Sequence, residues 1–251
     1  MRALVLSAGG AFGAYQAGAW HALEEWGFQP ELVVGTSIGA VNATAVARGC
    51  TGRRLEQWWR DARSNVFRWS RGLPDAAPLT ARLDELCREF PATAARARLL
   101  VTLTELPGTR IRAVCDEQVT PRHLLATCAI PLLYAPVKLG DRWYGDGGVF
   151  CRLPLAATVA AGATEIVAVD LLAAPPSLVA RGVLNAVCWV RRSLLAEPDP
   201  MWVPDRVRVR RVQSPRPLGK PWDTLRWDLA NIDRWIEQGY LDAALSVSAP
   251  G

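Results

Sequence analysis

Leu32-Val33-Val34-Gly35-Thr36-Ser37-Ile38-Gly39-Ala40 is the stretch on which the fold turns. Its apolar opening predicts a short buried strand, and Gly35 closes it. Ala40 to Ala47 then reads as a helix rich in small residues, stopped by Gly49. The serine therefore stands in a sharp strand-to-helix turn. Upstream, residues 2–6 predict another buried strand, bounded by Gly9-Gly10. Residues 14–26 place Tyr15, Ala19, Ala22, Leu23 and Trp26 at helical spacing, and Gly27 ends the run. Strand, helix, strand, helix within the opening 50 residues predicts an α/β fold. The expected form is a three-layer α/β/α sandwich around a mainly parallel sheet.

Downstream, residues 52–70 read as a helix carrying Trp58, Trp59 and Trp69 among arginines, and 71–80 as a loop with Pro74 and Pro78. A short helix is expected over 80–90 and strands over 99–104 and 111–114. Pro121 begins a helix through Cys128. Residues 137–144 form a hairpin turning on Gly140-Asp141. A helix over 154–161, a strand over 165–171 and an amphipathic helix over 177–196 follow. Residues 207–212 alternate with arginine, as an edge strand with one wet face does. A closing helical segment spans 223–245. Without repeats, low-complexity tracts or linkers, residues 1–251 are expected to form one domain.

The 251 residues are 50% hydrophobic, enough to fill a core, yet no apolar run is long enough for a membrane span. Residues 1–6 run straight into a glycine-rich turn and do not resemble a signal peptide, so the cytoplasm is expected. The six cysteines show no C-x-x-C pair, which suggests buried free thiols. The net charge of +5 is spread along the chain, without a basic block interleaved with stacking aromatics, so a nucleic-acid partner is not expected. Eleven tryptophans against four tyrosines stand out. The stretch 52–70 combines Trp58, Trp59, Phe67 and Trp69 with five arginines, and it either lies on an anionic lipid surface or packs on the domain.

Three segments carry chemistry. Gly35-Thr36-Ser37-Ile38-Gly39 fits G-x-S-x-G in the strand–turn–helix setting that exposes a nucleophilic hydroxyl. Alone, it also fits a helix start capped by Ser37 or Thr36. Ala8-Gly9-Gly10-Ala11-Phe12-Gly13 offers backbone N–H groups that can converge on an anion. A dinucleotide loop is the rival reading, weakened because Ala8 replaces the first glycine of that fingerprint. Gly145-Asp146-Gly147-Gly148 sets an aspartate among glycines, where it can approach another loop closely or simply make a turn. The only histidines are His21 and His123. His21 lies off the apolar stripe of its helix and His123 sits near a helix start, so a Ser–Asp dyad, with Asp146 taking the proton of Ser37, is preferred to a triad.

These segments, in this order, resemble the patatin-like phospholipases. Ala126-Thr127-Cys128-Ala129-Ile130-Pro131, Tyr144-Gly145-Asp146-Gly147-Gly148 and the closing stretch Trp222 to Ala243 are similar to that family too. The resemblance implies a lipid acyl ester hydrolase of α/β/α fold. It implies Ser37 as nucleophile, Asp146 as base, the amides of Gly9, Gly10 and Ala11 as oxyanion hole, and no cofactor. The implied partner is a lipid or acyl ester substrate, met through peripheral contact with a membrane. Phe12 stands where the family often has a basic residue, which puts phosphate recognition by this loop in doubt. A lipid-binding regulator on the same fold and an acyltransferase are the alternatives. A dyad with an ordinary aspartate is also expected to stay active well below pH 6.

Overall fold

The computed structural model describes residues 1–61, 66, 68–70, 73–108, 110–173 and 199–248. The chain opens with β1 (Arg2–Leu6), α1 (Gly13–Glu25), β2 (Leu32–Thr36) and α2 (Ile38–Ala47). Next come α3 (Gly52–Arg60), the ribbon strands β3 (Arg68–Ser70) and β4 (Leu73–Asp75), and α4 (Ala77–Glu89). β5 (Arg98–Leu106), β6 (Arg110–Cys115), α5 (Pro121–Thr127), β7 (Val137–Leu139) and β8 (Arg142–Gly145) follow. α6 (Leu155–Ala160), β9 (Glu165–Val169), β10 (Arg208–Val212) and α7 (Leu229–Ser248) complete the described chain.

Eight strands form one sheet in the order β10-β9-β1-β2-β5-β8-β7, with β6 also paired to β5. The five strands from β10 to β5 are parallel, whereas β6, β7 and β8 join antiparallel. Side chains alternate across it. Leu4, Leu6, Val33, Val101, Val167 and Val169 meet α1 to α5 and α7 on one face. Ala3, Val5, Leu32, Val34, Ile166 and Ala168 meet Leu153, Leu155 of α6 and Val207 on the other. β1 is the point where the strand order reverses: β2 lies on one side of it and β9 on the other. Crevices at the carboxyl edge of such switch points are where open α/β sheets bind ligands.

Three expectations need correction. The helix expected over 52–70 stops at Arg60, and Asp61 is already extended. The loop expected over 71–80 holds β4 and the start of α4. Pro74 is tolerated because β3 and β4 form an isolated two-stranded ribbon, so its missing N–H leaves no central ladder broken. Pro78 sits in the opening turn of α4, where its missing N–H costs nothing, and the Asp75 carboxylate accepts from the Ala77 amide at 2.9 Å. Not every cysteine is buried either, since Cys115 on β6 is exposed. The helix expected over 177–196 lies outside the described residues. Among them, no helix is long and apolar enough to cross a membrane.

Candidate active site

Ser37 sits between β2 and α2 with φ 54° and ψ −129°, a backbone conformation that non-glycine residues rarely adopt. Such a conformation costs about 1–3 kcal/mol and persists only where the surroundings fix it. Here the Ser37 amide donates to Thr127 Oγ1 at 2.8 Å, and Thr127 Oγ1 donates onward to the Thr102 carbonyl at 2.8 Å. Gly39 lets α2 close onto β1: a Cβ there would lie 2.3 Å from the Leu6 carbonyl oxygen. Neither hydroxyl of the turn caps the helix. No side-chain bond caps α2, and Thr36 Oγ1 is buried without a partner. The capping alternative is thereby removed.

The Ser37 hydroxyl instead donates to Asp146 Oδ2 at 2.8 Å. Asp146 is buried, 4% exposed, at the end of β8. Its Oδ1 accepts the Gly148 amide at 2.5 Å, and its own carbonyl accepts from Thr104 Oγ1 at 3.0 Å. Gly148 is where close approach is required, since a Cβ there would lie 2.4 Å from Ala8 Cβ and 2.9 Å from Asp146 Oδ1. Burial pushes the Asp146 carboxyl up to about 6, while bonds from Ser37, Gly148 and Val149 pull it down. The ordinary aspartate assumed from sequence is therefore a poised one, and the expectation of activity far below pH 6 is revised accordingly.

The glycine loop between β1 and α1 borders the same place. Among the described residues, none supplies an acceptor to the amides of Gly9, Gly10 or Ala11; the next amide, of Phe12, turns back to the Gly9 carbonyl at 3.3 Å. Buried polar side chains hold the loop at both ends. Gln16 Nε2 donates to the Ser7 carbonyl at 2.8 Å, and Asn42 Nδ2 donates to the Gly13 carbonyl and to Gln16 Oε1, each at 2.9 Å. Trp59 Nε1 donates to Asn42 Oδ1 at 3.0 Å. On the other side, the Arg152 carbonyl accepts from the Ala8 amide at 2.9 Å, and the Arg152 guanidinium pairs with buried Asp170. Backbone N–H groups without an acceptor among the described residues are the kind of donor that can stabilise a developing negative charge.

The histidines lie elsewhere. His21 Nδ1 bonds Glu56 Oε1 at 2.7 Å, and His123 closes the capping box of α5 with Thr120. Trp58 and Trp59 do not reach a surface: they are 4% and 0% exposed, and Trp59 stacks on Trp227 with ring centroids 5.0 Å apart. Of the two readings of residues 52–70, packing on the domain holds for α3; the side chains of Phe67 and Trp69 lie outside the described residues. Phe12 is core as well, buried and edge-on to Trp235 at 4.9 Å.

Thr102, Thr104, Gln16 and Asn42 escaped the sequence reading, and Thr127 entered it only within the segment Ala126 to Pro131, without a role. A threonine or amide in a helical or strand pattern carries no local mark of a partner 90 residues away, as Thr127 has in Ser37.

The patatin-like phospholipase family model matches residues 4–159. YqhO of Bacillus subtilis, an uncharacterized protein, is 27% identical over 187 residues, which are 60% of this chain and 64% of that one. VipD from Legionella pneumophila superposes with a TM-score of 0.55 at 14% identity, over 98% of this chain and 66% of VipD, a likeness of fold alone. The chain thus spans just under two thirds of the length of each. A family match over well more than half of the sequence settles the kinship: the chain belongs to the patatin-like phospholipase family.

Proposed function

We propose that this chain is a serine acyl hydrolase that cleaves fatty acyl esters of lipids, as a single domain, with Ser37 as nucleophile and Asp146 as general base. The hydrogen bond of 2.8 Å from Ser37 Oγ to Asp146 Oδ2 carries the reading. In the proposed cycle Ser37 Oγ attacks the ester carbonyl carbon while its proton passes to Asp146. The tetrahedral oxyanion accepts from the amides of Gly9, Gly10 and Ala11, where one such donor is worth about 2.7–4 kcal/mol of barrier. Collapse breaks the ester C–O bond, and the departing alcohol takes the proton from Asp146. Water then attacks the acyl-serine, giving its proton to Asp146, and the fatty acid leaves as Ser37 Oγ is reprotonated. A carboxyl poised near 6 suits this exchange better than an ordinary aspartate, because its proton affinity is closer to that needed near neutral pH.

Purified protein is to be assayed on short-chain soluble esters and on a panel of phospholipids and lysophospholipids, beside Ser37→Ala. Fatty acid release by the wild type and none by a folded Ser37→Ala supports the reading. Equal turnover by both variants overturns it. The same serine would also serve an acyltransferase, and a competing alcohol acceptor added to the assay separates the two by its product.

A further inference from the structure

Once Trp58 and Trp59 are known to be core, the surface that meets lipid must lie elsewhere, and two exposed apolar side chains stand on segments that border the Ser37 site. The first is Leu132. It is 102% exposed and holds φ 71°, in the left-handed region. A leucine gains nothing for the fold by standing fully in water, and it opposes its own backbone preference there. Its loop leaves the site directly: the Asp146 amide donates to the Ala129 carbonyl at 3.0 Å, the Ile130 amide donates to the Cys128 carbonyl at 2.9 Å, and the Leu133 amide donates to the Ile130 carbonyl at 3.1 Å. Residues 128–136, Cys-Ala-Ile-Pro-Leu-Leu-Tyr-Ala-Pro, hold no charged side chain.

The second is Trp222, 59% exposed, in the short 3-10 turn Pro221–Leu225. That turn lies against the glycine loop, since a Cβ on Gly10 would fall 2.1 Å from the Thr224 carbonyl oxygen. Lys220 Nζ stands 5.3 Å from the Trp222 ring centroid, and Arg216 and Arg226 are exposed nearby in sequence. Asp223 is the one acid between Arg216 and Arg226. An amphipathic ring beside cationic side chains on one segment at the site, and an uncharged apolar loop on another, match the boundary of an anionic bilayer: apolar tips among acyl chains, cations among head groups.

We propose that Leu132 and Trp222, with Lys220, Arg216 and Arg226 beside Trp222, are the elements that dock this protein on an anionic lipid surface with the Ser37 site facing the lipid. This deepens the proposed lipid hydrolase and rests on it for its purpose, though docking itself needs no turnover. Trp26 provides a built-in control. It is 56% exposed, but it follows the 13-residue α1, roughly 20 Å from the glycine loop at the helical rise per residue.

Binding is measured on the Ser37→Ala protein, so that no lipid is consumed, by co-sedimentation with vesicles of phosphatidylglycerol mixed with phosphatidylcholine. Trp222→Ala and Leu132→Ser are each expected to lower partitioning by about tenfold, the loss of one inserted apolar side chain. Lys220→Gln is expected to lower it by about fivefold on these vesicles and not on pure phosphatidylcholine. Trp26→Ala is expected to bind as the parent does. With Ser37 intact, all four variants should hydrolyse a soluble short-chain ester normally. Wild-type vesicle binding by Trp222→Ala and Leu132→Ser overturns the docking surface, and so does an equal loss in Trp26→Ala. A change of the two docking variants from dimer to monomer in size-exclusion chromatography, without loss of vesicle binding, assigns the patch to a second copy and also overturns it. Binding that follows the pattern above in a protein with no ester turnover defeats the hydrolase reading and leaves the docking surface standing.

Discussion

Asp146→Asn should make the protein more stable while making it inactive. The carboxyl is 4% exposed, and burial raises it from 3.8 to about 6. Because the folded-state value lies above the unfolded one, the native state binds the proton more tightly. The ionised form is a penalty on folding that is absent below the unfolded value, grows between about pH 4 and 6, and is complete above that. A shift of roughly two units corresponds to about 3 kcal/mol at neutral pH. Asparagine fits the same space. Its Oδ1 can still accept from the Gly148 amide, and its Nδ2 can donate to Ser37 Oγ, which turns from donor to acceptor. Asp146→Asn is therefore expected to raise stability at pH 7.5 by about 3 kcal/mol, or Tm by roughly 6–12 °C for a chain of this size. Below about pH 4 the two proteins should melt together. Hydrolysis should fall roughly 100-fold or more above about pH 6, where Asp146 is ionised, with the gap narrowing as the wild type is protonated at lower pH. Scanning calorimetry across pH tests the stability claim. A variant less stable than the wild type at pH 7.5, or a gap that persists unchanged at pH 3.5, would refute the reasoning.

Wild-type kcat/KM should follow a single ionisation near about 6, losing tenfold per unit of pH below it, since Asp146 must be ionised to accept the Ser37 proton; a profile flat down to pH 4.5 contradicts this. A variant lacking both His21 and His123 should keep that profile and most of its activity, because their bonds go to Glu56 and Thr120; a folded but inactive double variant restores a histidine triad. Thr127→Val removes the acceptor of the Ser37 amide and the donor to the Thr102 carbonyl, so it should cost about 1–3 kcal/mol in chemical denaturation, with kcat falling more than KM rises. Loss of stability with unchanged kcat would make Thr127 a packing residue only.

The strands β1, β2, β5 and β9 and the turn after β2 were legible because buried parallel strands are short apolar runs, and that local signature needs no partner. Ser37 and Asp146 were legible for a related reason: tight turns confine residue choice, so their glycines mark them. What escaped was set by contacts across the chain. The arginines and tryptophans of α3 make an amphipathic pattern that suits a membrane surface and a protein surface equally. Only Trp227, far along the chain and stacked on Trp59, decides between them. Phe12 read as a change in the glycine loop's chemistry, yet Trp235 gives it a partner in the core. The poised acidity of Asp146 was hidden too, because burial is a property of the whole fold and not of Gly-Asp-Gly-Gly.

The most direct test of the central claim is covalent. A fluorophosphonate probe reacts with a serine activated by an adjacent base and an oxyanion hole, and peptide mass spectrometry locates the adduct. One adduct is expected, on Ser37, formed by the wild type, lost in Ser37→Ala and strongly slowed in Asp146→Asn. An adduct on another residue, or labelling of the Asp146→Asn protein at the wild-type rate, would contradict it.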